Sequence, residues 1–331
     1  MAIVNKSIKS SGGDYTSLSL FEAALPVAGS DTWIGSYDEA FTDTTAVTFT
    51  GIGGSVAVEV TVAEAYRCKG AVTGSHAELV VTGAGAVRAI FNEHPLVTIR
   101  YLRISRVGAG AGSYTIVESA ISGNPLYDSC TFIRRDGAAT GGELLVCNAG
   151  GGARFRNCFF VASGYNSGAL SVCNNVAGTP ALYNCTFFVP DGTVANIYST
   201  SATCVTDMRN CLGVKAAGAT VTAVYSGAGA RWSVASTKNA ASDSTGTTPS
   251  ADGYNTVAVT VITTQTVGSE DLHFVDYVSM IAAGAGSVLS SIFTVDIDGD
   301  TRRGWFTGAD CIATTGDSGR KGVRLHMRLG L

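Results

Sequence analysis

The sequence predicts an all-β protein: a single-stranded, right-handed parallel β-helix in which short strands stack into a solenoid. One observation behind this prediction is a cysteine-centred motif that returns about every 27 residues. Another is the succession of short, often alternating apolar segments between glycines. A fixed period of this size is typical of stacked repeat architectures. The 41 glycines and the low charged fraction of 15% suit short strands that tight turns connect.

The repeat is clearest in four segments that place a cysteine after a polar residue. These are DSCTF at 128–132, RNCFF at 156–160, YNCTF at 183–187 and RNCLG at 209–213. Their cysteines are 28, 27 and 26 residues apart, close to one turn of a three-sided β-helix. Aligned on this motif, Asp128 lies over Arg156, Tyr183 and Arg209 in successive rungs. We expect Lys238-Asn239 to form one more turn without a cysteine.

Stacking explains the cysteines without any chemistry. Free cysteine is among the most buried residue types and packs as a small apolar side chain. A metal site is the alternative, but the sequence has no C-x-x-C pair and the thiols recur one rung apart. A second series, Cys147 and Cys173 with Cys204 as an imperfect member, predicts another column.

The chain divides into three parts. Residues 1–45 are predicted as an N-terminal cap or attachment region, 46–240 as the β-helix, and 241–331 as a less regular, loop-rich β segment and tail. Within 16–26, Leu18, Phe21 and Leu25 have helical spacing and predict a short helix over the first open rung. Ser19 and Glu22 have the spacing of a capping box.

Composition excludes several classes of protein. The net charge of −4 does not favour a nucleic-acid partner. No apolar run is long enough for a transmembrane helix, and residues 1–6 lack the apolar stretch of a secretory signal. We therefore expect synthesis in a bacterial host's cytoplasm, free thiols, no membrane association and no cofactor.

An acidic motif near the end of the chain is the candidate metal site. Asp296, Asp298 and Asp300 alternate as in a calcium loop, but Thr301 and Thr307 stand where an EF-hand needs Gly and Glu. The competing interpretation is that these carboxylates pair with arginines at 302–303 and stabilise the C-terminal turn.

No catalytic residues are predicted. A glycoside hydrolase needs two carboxylates about 5 to 9.5 Å apart. The nearest aligned acids are Asp136 and Asp191, two rungs apart with Gly164 between them, and Arg134 and Arg135 adjoin Asp136 as in a lyase site. The histidines are scattered, with no triad spacing, at His76, His94, His273 and His326.

The last twelve residues combine basic and apolar side chains. The candidate partner-docking residues are Arg320, Lys321, Arg324, Leu325, Met327, Arg328 and Leu329. Their alternation predicts a final strand that docks on a partner, and the alternative is a solvated basic tail.

Three stretches together resemble right-handed β-helix proteins of bacteriophages, which include tail spikes and trimeric capsid decoration (cement) proteins. They are residues 13–35, the Asn-Cys rungs, and 296–310 with the motif DIDGDTRR. The resemblance implies a non-enzymatic virion protein on the capsid surface, a homotrimer bound to the major capsid protein. The alternative is a tail spike or fibre that binds, and in some cases cleaves, a host polysaccharide.

Overall fold

The computed structural model describes residues 1–69, 74–83, 87–108, 114–118, 124–139, 144–147, 152–266, 271–275, 284–298, 305 and 307–308. These residues form strands for the most part. The helices among them are α1 (Leu18–Ala23) and three single 3₁₀ turns at Glu64–Tyr66, Gly229–Arg231 and Val259–Val261.

The strands are short, with two exceptions in the middle of the chain. The first twelve are β1 (Ile3–Ile8), β2 (Thr32–Tyr37), β3 (Thr42–Asp43), β4 (Val47–Phe49), β5 (Ala57–Val62), β6 (Glu78–Thr82), β7 (Arg88–Asn92), β8 (Val97–Arg100), β9 (Arg103–Val107), β10 (Tyr114–Glu118), β11 (Leu126–Asp128) and β12 (Thr131–Ala139). The others are β13 (Leu145–Cys147), β14 (Arg154–Arg156), β15 (Phe159–Gly178), β16 (Ala181–Tyr183), β17 (Thr186–Val189), β18 (Thr193–Cys204), β19 (Asp207–Arg209), β20 (Leu212–Lys215), β21 (Thr220–Ser226), β22 (Ala240–Ala241), β23 (Ile262–Thr264) and β24 (Asp271–Phe274).

Three parallel sheets stack these strands into a solenoid. Sheet A has the order β1-β2-β5-β8-β11-β14-β16-β19. Sheet B has the order β3-β6-β9-β12-β15-β17-β20-β22, and sheet C has the order β4-β7-β10-β13-β15-β18-β21. Strand β15 belongs to both B and C, because its first residues pair with β12 and its last with β13. The predicted all-β parallel solenoid is therefore confirmed.

One corner of the solenoid is a ladder of residues with left-handed backbone. This ladder consists of Tyr101, Ser129, Asn157, Asn184, Asn210 and Lys238, whose φ angles lie between 51 and 60°. Asparagine enters this region more readily than other non-glycine residues, because its short amide side chain bonds locally. Lys238 occupies the ladder position above Asn210, and Asn239 takes the place of the cysteine. The additional turn that the sequence predicted is therefore present.

The four cysteines that follow the ladder residues form a buried thiol column, Cys130, Cys158, Cys185 and Cys211. The backbone N–H groups of Phe159, Thr186 and Leu212 donate to the carbonyls of Cys130, Cys158 and Cys185 at 3.0, 2.9 and 2.9 Å. Neighbouring rungs are thus in register at this column, as the sequence spacing predicted.

An aromatic stack runs through the core beside the thiol column. The ring centroids of Phe132 and Phe160 are 4.9 Å apart, and those of Phe160 and Phe187 are 4.8 Å apart. These distances match the spacing of about 4.8 Å between hydrogen-bonded strands. The stack ends at Gly213, where a Cβ atom would lie 2.3 Å from Cγ1 of Val224. Val224 therefore fills the space of the next ring.

The second cysteine column that the sequence predicted does not form. Cys147, Cys173 and Cys204 are buried, but the residue that pairs with Cys173 is Leu145, and Cys204 pairs with Gly178. The local repeat in sheet C is 28 residues, whereas the spacing of the first two cysteines is 26. A shift of two residues keeps a side chain on the same face of a strand. The thiols therefore stay inside the core without stacking.

Helix α1 covers the first open end of the core, as predicted. Leu18, Phe21 and Leu25 are buried, and a Cβ atom at Gly35 in β2 would lie 3.0 Å from the Phe21 ring. The predicted capping box is wrong, because Ser17, not Ser19, is the N-cap and accepts a hydrogen bond from the backbone of Leu20 at 3.1 Å. Strands β1 to β3 lie within residues 1–45, so this segment contributes rungs as well as the cap.

The C-terminal segment packs against the outside of sheet B. Its apolar cluster includes Ile133, Phe159, Phe188 and Leu212 from the sheet and Val261, Ile262, Phe274 and Ile297 from the segment. The loop predicted from residue 241 is present as turns and closes the other end of the solenoid. There Asp243 and Thr245 accept hydrogen bonds from the edge N–H groups of Val224 and Tyr225 at 2.8 and 3.0 Å.

Residues 284–308, where described, also lie along the left-handed ladder. The side-chain amides of Asn157 and Asn210 donate to the carbonyls of Val295 and Ser287, both at 2.8 Å. The predicted bonding between stacked asparagines occurs once in the described ladder, from Asn210 to Asn184 at 3.3 Å. The remaining amide capacity holds the C-terminal segment to the solenoid.

Candidate functional site

The outer face of sheet A carries a regular array of charged and aromatic side chains. Strand pairing arranges them in two columns that run along the solenoid. The first column is Glu59, Thr98, Leu126, Arg154, Ala181 and Asp207, and the second is Arg100, Asp128, Arg156, Tyr183 and Arg209. Successive members are one rung apart, about 4.8 Å. The predicted order of Asp128, Arg156, Tyr183 and Arg209 is confirmed.

Both aspartates in this array pair with an arginine. Arg156 Nη2 donates to Asp128 Oδ2 at 2.7 Å across one rung. Arg209 grips Asp207 in a bidentate pair, with Nε to Oδ1 at 2.9 Å and Nη2 to Oδ2 at 2.7 Å. A two-bond arginine–carboxylate pair fixes the orientation of both groups. The array is therefore preorganised and locally neutral at these positions.

Tyr183 lies between the two arginine pairs and is tied to the upper one. Its hydroxyl donates to Asp207 Oδ2 at 2.8 Å, and the Arg209 guanidinium carbon lies 5.3 Å from the ring centroid. Partial burial, followed by the hydrogen bond to Asp207 and the charge of that carboxylate, raises the pKa of Tyr183 to about 12. The phenol therefore stays protonated at neutral pH and serves as a hydrogen-bond donor, not as a base.

The spacing of the acids does not fit a glycosidase pair. Asp128 and Asp207 lie in different columns and three rungs apart, a separation of at least about 14 Å along the solenoid. Glycosidase carboxylates are about 5 to 9.5 Å apart. Arg156 and Arg209 are each held by a carboxylate, so neither is free to act as a lyase base. The array suits recognition of a ligand or partner better than acid–base chemistry.

The residues considered for a polysaccharide lyase do not assemble on one surface. Arg134 is fully buried and its parity in β12 places it on the inner face with Phe132, away from the outer face of sheet B. Asp191 Oδ1 accepts a hydrogen bond from the backbone of Gly164 at 2.8 Å, as the predicted alignment of these two residues implies. The Asp136 side chain lies outside the described residues, and Arg135 contacts Ser163 at 3.5 Å.

Two of the three candidate metal ligands are described, and both have protein partners. Asp296 is buried, and its Oδ1 accepts the backbone N–H of Asp298 at 3.0 Å. Asp298 Oδ1 is 3.1 Å from His273 Nε2, and the His273 ring packs edge-on against Phe159. Asp300 and the two arginines considered as its partners lie outside the described residues. The described carboxylates thus fasten the C-terminal segment to sheet B.

The other described histidines also bond within the protein. His94 Nε2 is 2.7 Å from the Val56 carbonyl, and His76 Nε2 is 2.7 Å from Arg103 Nη1. No group of three or more potential metal-ligating side chains is present in the part of the chain that the structure describes. His326 and the seven candidate docking residues, which begin at Arg320, lie outside that part.

The thiol column is chemically quiet. Burial is the main cause that raises the pKa of the Cys130, Cys158 and Cys185 thiols well above the ordinary value, and neighbouring thiols add to it. The Cys158 thiol donates to the Arg156 carbonyl at 3.2 Å. A protonated, buried thiol is a poor nucleophile and a poor metal ligand.

Comparisons with known proteins give no family. No family model matches the chain, and no curated protein matches it. Among solved structures, the chain is similar to the crystal structure of pectate lyase Pel9A at 11% identity. That similarity covers 97% of this chain and 93% of the lyase chain, with a TM-score of 0.23. In the described part of the chain no helix has the length and hydropathy needed to cross a membrane.

Sequence reasoning missed several features of this surface. It aligned Asp128 with Arg156 but did not anticipate Asp207, which lies in the neighbouring column and binds both Tyr183 and Arg209. The signal was present, because Asp207 and Arg209 are two residues apart and therefore share one face of a strand. His273 carried no such signal, since its partner Asp298 is distant in sequence.

Proposed function

We propose that the protein is a non-enzymatic structural protein of a bacteriophage particle, a capsid decoration protein that binds the major capsid protein as a homotrimer. The observation that supports it best is the internal pairing of the acids on the outer face of sheet A. Asp128 and Asp207 are neutralised by Arg156 and Arg209, which leaves a rigid surface without an acid–base pair. The resemblance of the Asn-Cys rungs to phage β-helix proteins supplies the particle and the trimer.

Rigidity is the property that such a role requires. Every rung adds backbone hydrogen bonds to the one below, and stacked repeats gain stability from each neighbouring interface. The ends of the stack are protected by α1 and by the loop around Asp243. The C-terminal segment, bonded to Asn157 and Asn210, supports one corner of the solenoid.

The test is binding of the purified chain to phage capsids that lack it. We expect saturable binding to such capsids, and a mass near three chains by light scattering. Immunogold labelling of intact particles should decorate the head. A monomer without affinity for capsids, or labelling of the tail alone, would contradict the proposal.

A tail spike or fibre that binds a host polysaccharide is the second candidate. It is favoured by the alternation of Tyr183 with arginines along the solenoid axis, because aromatic and guanidinium groups both pack against sugars and bind their anionic substituents. Incubation with surface polysaccharide should then protect the outer face of sheet A from modification by a guanidine-directed reagent. Release of reducing or unsaturated ends would show cleavage, which the pairing of the acids argues against.

A further inference from the structure

The first strand of sheet A has one unpaired edge. Strand β1 pairs with β2 alone, and the N–H of Thr32 donates to the carbonyl of Ala2 at 2.9 Å. In a parallel ladder, residues alternate in the side to which their backbone groups point. The N–H and C=O groups of Ile3, Asn5 and Ser7 therefore point away from β2.

Only one end of this edge is closed by the chain itself. The N–H of Ser7 donates to Asp14 Oδ2 at 2.8 Å, and its carbonyl accepts from the backbone of Tyr15 at 3.0 Å. Among the described residues, no donor or acceptor meets the outward backbone groups of Ile3 and Asn5. Their surroundings are apolar and exposed, since Met1 and Ile3 keep 89% and 66% of their accessible surface. An open edge of this kind is a template for an added strand.

Charge indicates which strand it would accept. Residues 1–45 contain six acidic residues and two lysines, a net charge of 2 − 6 = −4. Residues 320–331 contain four basic residues and no acids, a net charge of +4. Apolar and basic side chains alternate from Val323 to Leu329, the pattern of a strand with one apolar face.

We propose that the open edge of β1 receives residues 320–329 of a second copy of this chain as an added strand. A second copy fits better than the same chain for a reason of length. Gly308 donates its N–H to the carbonyl of Asn210 at 2.7 Å, beside the last strand of sheet A. Seven strand spacings, about 34 Å, separate that strand from β1. The residues 309–319 reach at most about 36 to 40 Å when fully extended.

A contact between the C-terminal segment of one copy and β1 of the next joins two different surfaces. Such a heterologous contact closes into a ring when the rotation between copies permits. The interface is therefore compatible with a trimer, and it holds whether the particle is a phage capsid or another assembly.

Residue-level hydrogen exchange of the full-length protein over a hundredfold range of concentration tests this interface. We expect protection of the Ile3 and Asn5 amides to rise at least tenfold with concentration, and to be lost in the double variant R324E/R328E. Exchange that stays fast at every concentration would overturn the proposal. Protection that does not depend on concentration would assign the edge to the same chain, and protection that survives R324E/R328E would assign it to another occupant.

A matched pair of substitutions at Asn5 tests the edge itself. Asn5→Pro removes an N–H that β1–β2 pairing does not use, and proline is tolerated on the solvent side of an edge strand. Asn5→Ala keeps that N–H. By analytical ultracentrifugation we expect Asn5→Pro to weaken association at least tenfold at an unchanged melting temperature, and Asn5→Ala to associate like the parent. Equal association of the two variants would overturn the proposal, and the charge-reversal variant decides the matter if Asn5→Pro unfolds.

Discussion

Truncation of one ring in the aromatic stack measures how much the register of the rungs contributes to stability. Phe160 is fully buried, and its ring stacks on Phe132 at 4.9 Å below and on Phe187 at 4.8 Å above. Phe→Ala substitutions in protein cores cost about 3 to 5 kcal/mol. Each aromatic pair adds about 0.5 to 1.5 kcal/mol beyond burial. Because Phe160 loses two such pairs, we expect Phe160→Ala to lower the free energy of unfolding by about 4 kcal/mol.

Urea unfolding, followed by tryptophan fluorescence and circular dichroism together, is the assay. With an m-value of about 3 kcal/mol/M, a loss of this size lowers the midpoint by about 1.3 M. The control is Val234→Ala, because Val234 is fully exposed and its truncation should change stability by less than about 0.5 kcal/mol. A loss below about 1 kcal/mol for Phe160→Ala, with an unchanged m-value, would refute the stacking of rings 27 and 28 residues apart.

Three further outcomes follow from the ladder, the thiols and the last turn. Asn184→Ala should cost about 1 to 2 kcal/mol for its left-handed backbone, and Asn184→Gly less, by thermal denaturation; equal losses would contradict this. The thiol column should resist iodoacetamide at pH 8 in the native protein and react fully in denaturant, as peptide mapping by mass spectrometry detects; native alkylation would show that the column is accessible. Burial raises the pKa of Asp252, but hydrogen bonds from Thr237, the Lys238 backbone and Ser250 outweigh it and lower the pKa to about 2. Since this lowered pKa stabilises the fold above the ordinary value near 4, the contribution is lost as pH falls toward 2; Asp252→Asn should therefore flatten the acid limb of the stability curve, and an unchanged limb would show that Asp252 does not contribute.

The parts of the fold that depend on period and polarity were predictable from the sequence. The spacing of the Asn-Cys segments predicted the register that places Asp128 over Arg156. The helical spacing of Leu18 and Phe21 predicted the cap over the first rung. Both follow from rules that relate neighbouring residues to one face of an element.

The parts that depend on turn lengths or distant contacts were not predictable. Cys147 and Cys173 repeat at 26 residues, yet the chain between them makes a 28-residue rung, which no local pattern indicates. Arg134 is charged, but its strand parity places it inside the core. The contact between His273 and Asp298 depends on how the C-terminal segment packs on sheet B, and sequence spacing carries no information on that packing.

The distance between two outward positions in one column of sheet A tests the stacked register most directly. Nitroxide labels at Thr98→Cys and Asp207→Cys, in a Cys311→Ser background, are 109 residues apart in sequence and four rungs apart in the fold. Double electron–electron resonance should give a single distribution centred near about 19 Å, four strand spacings. A distribution centred beyond about 30 Å, or several well-separated distances, would contradict the solenoid and the surface built on it.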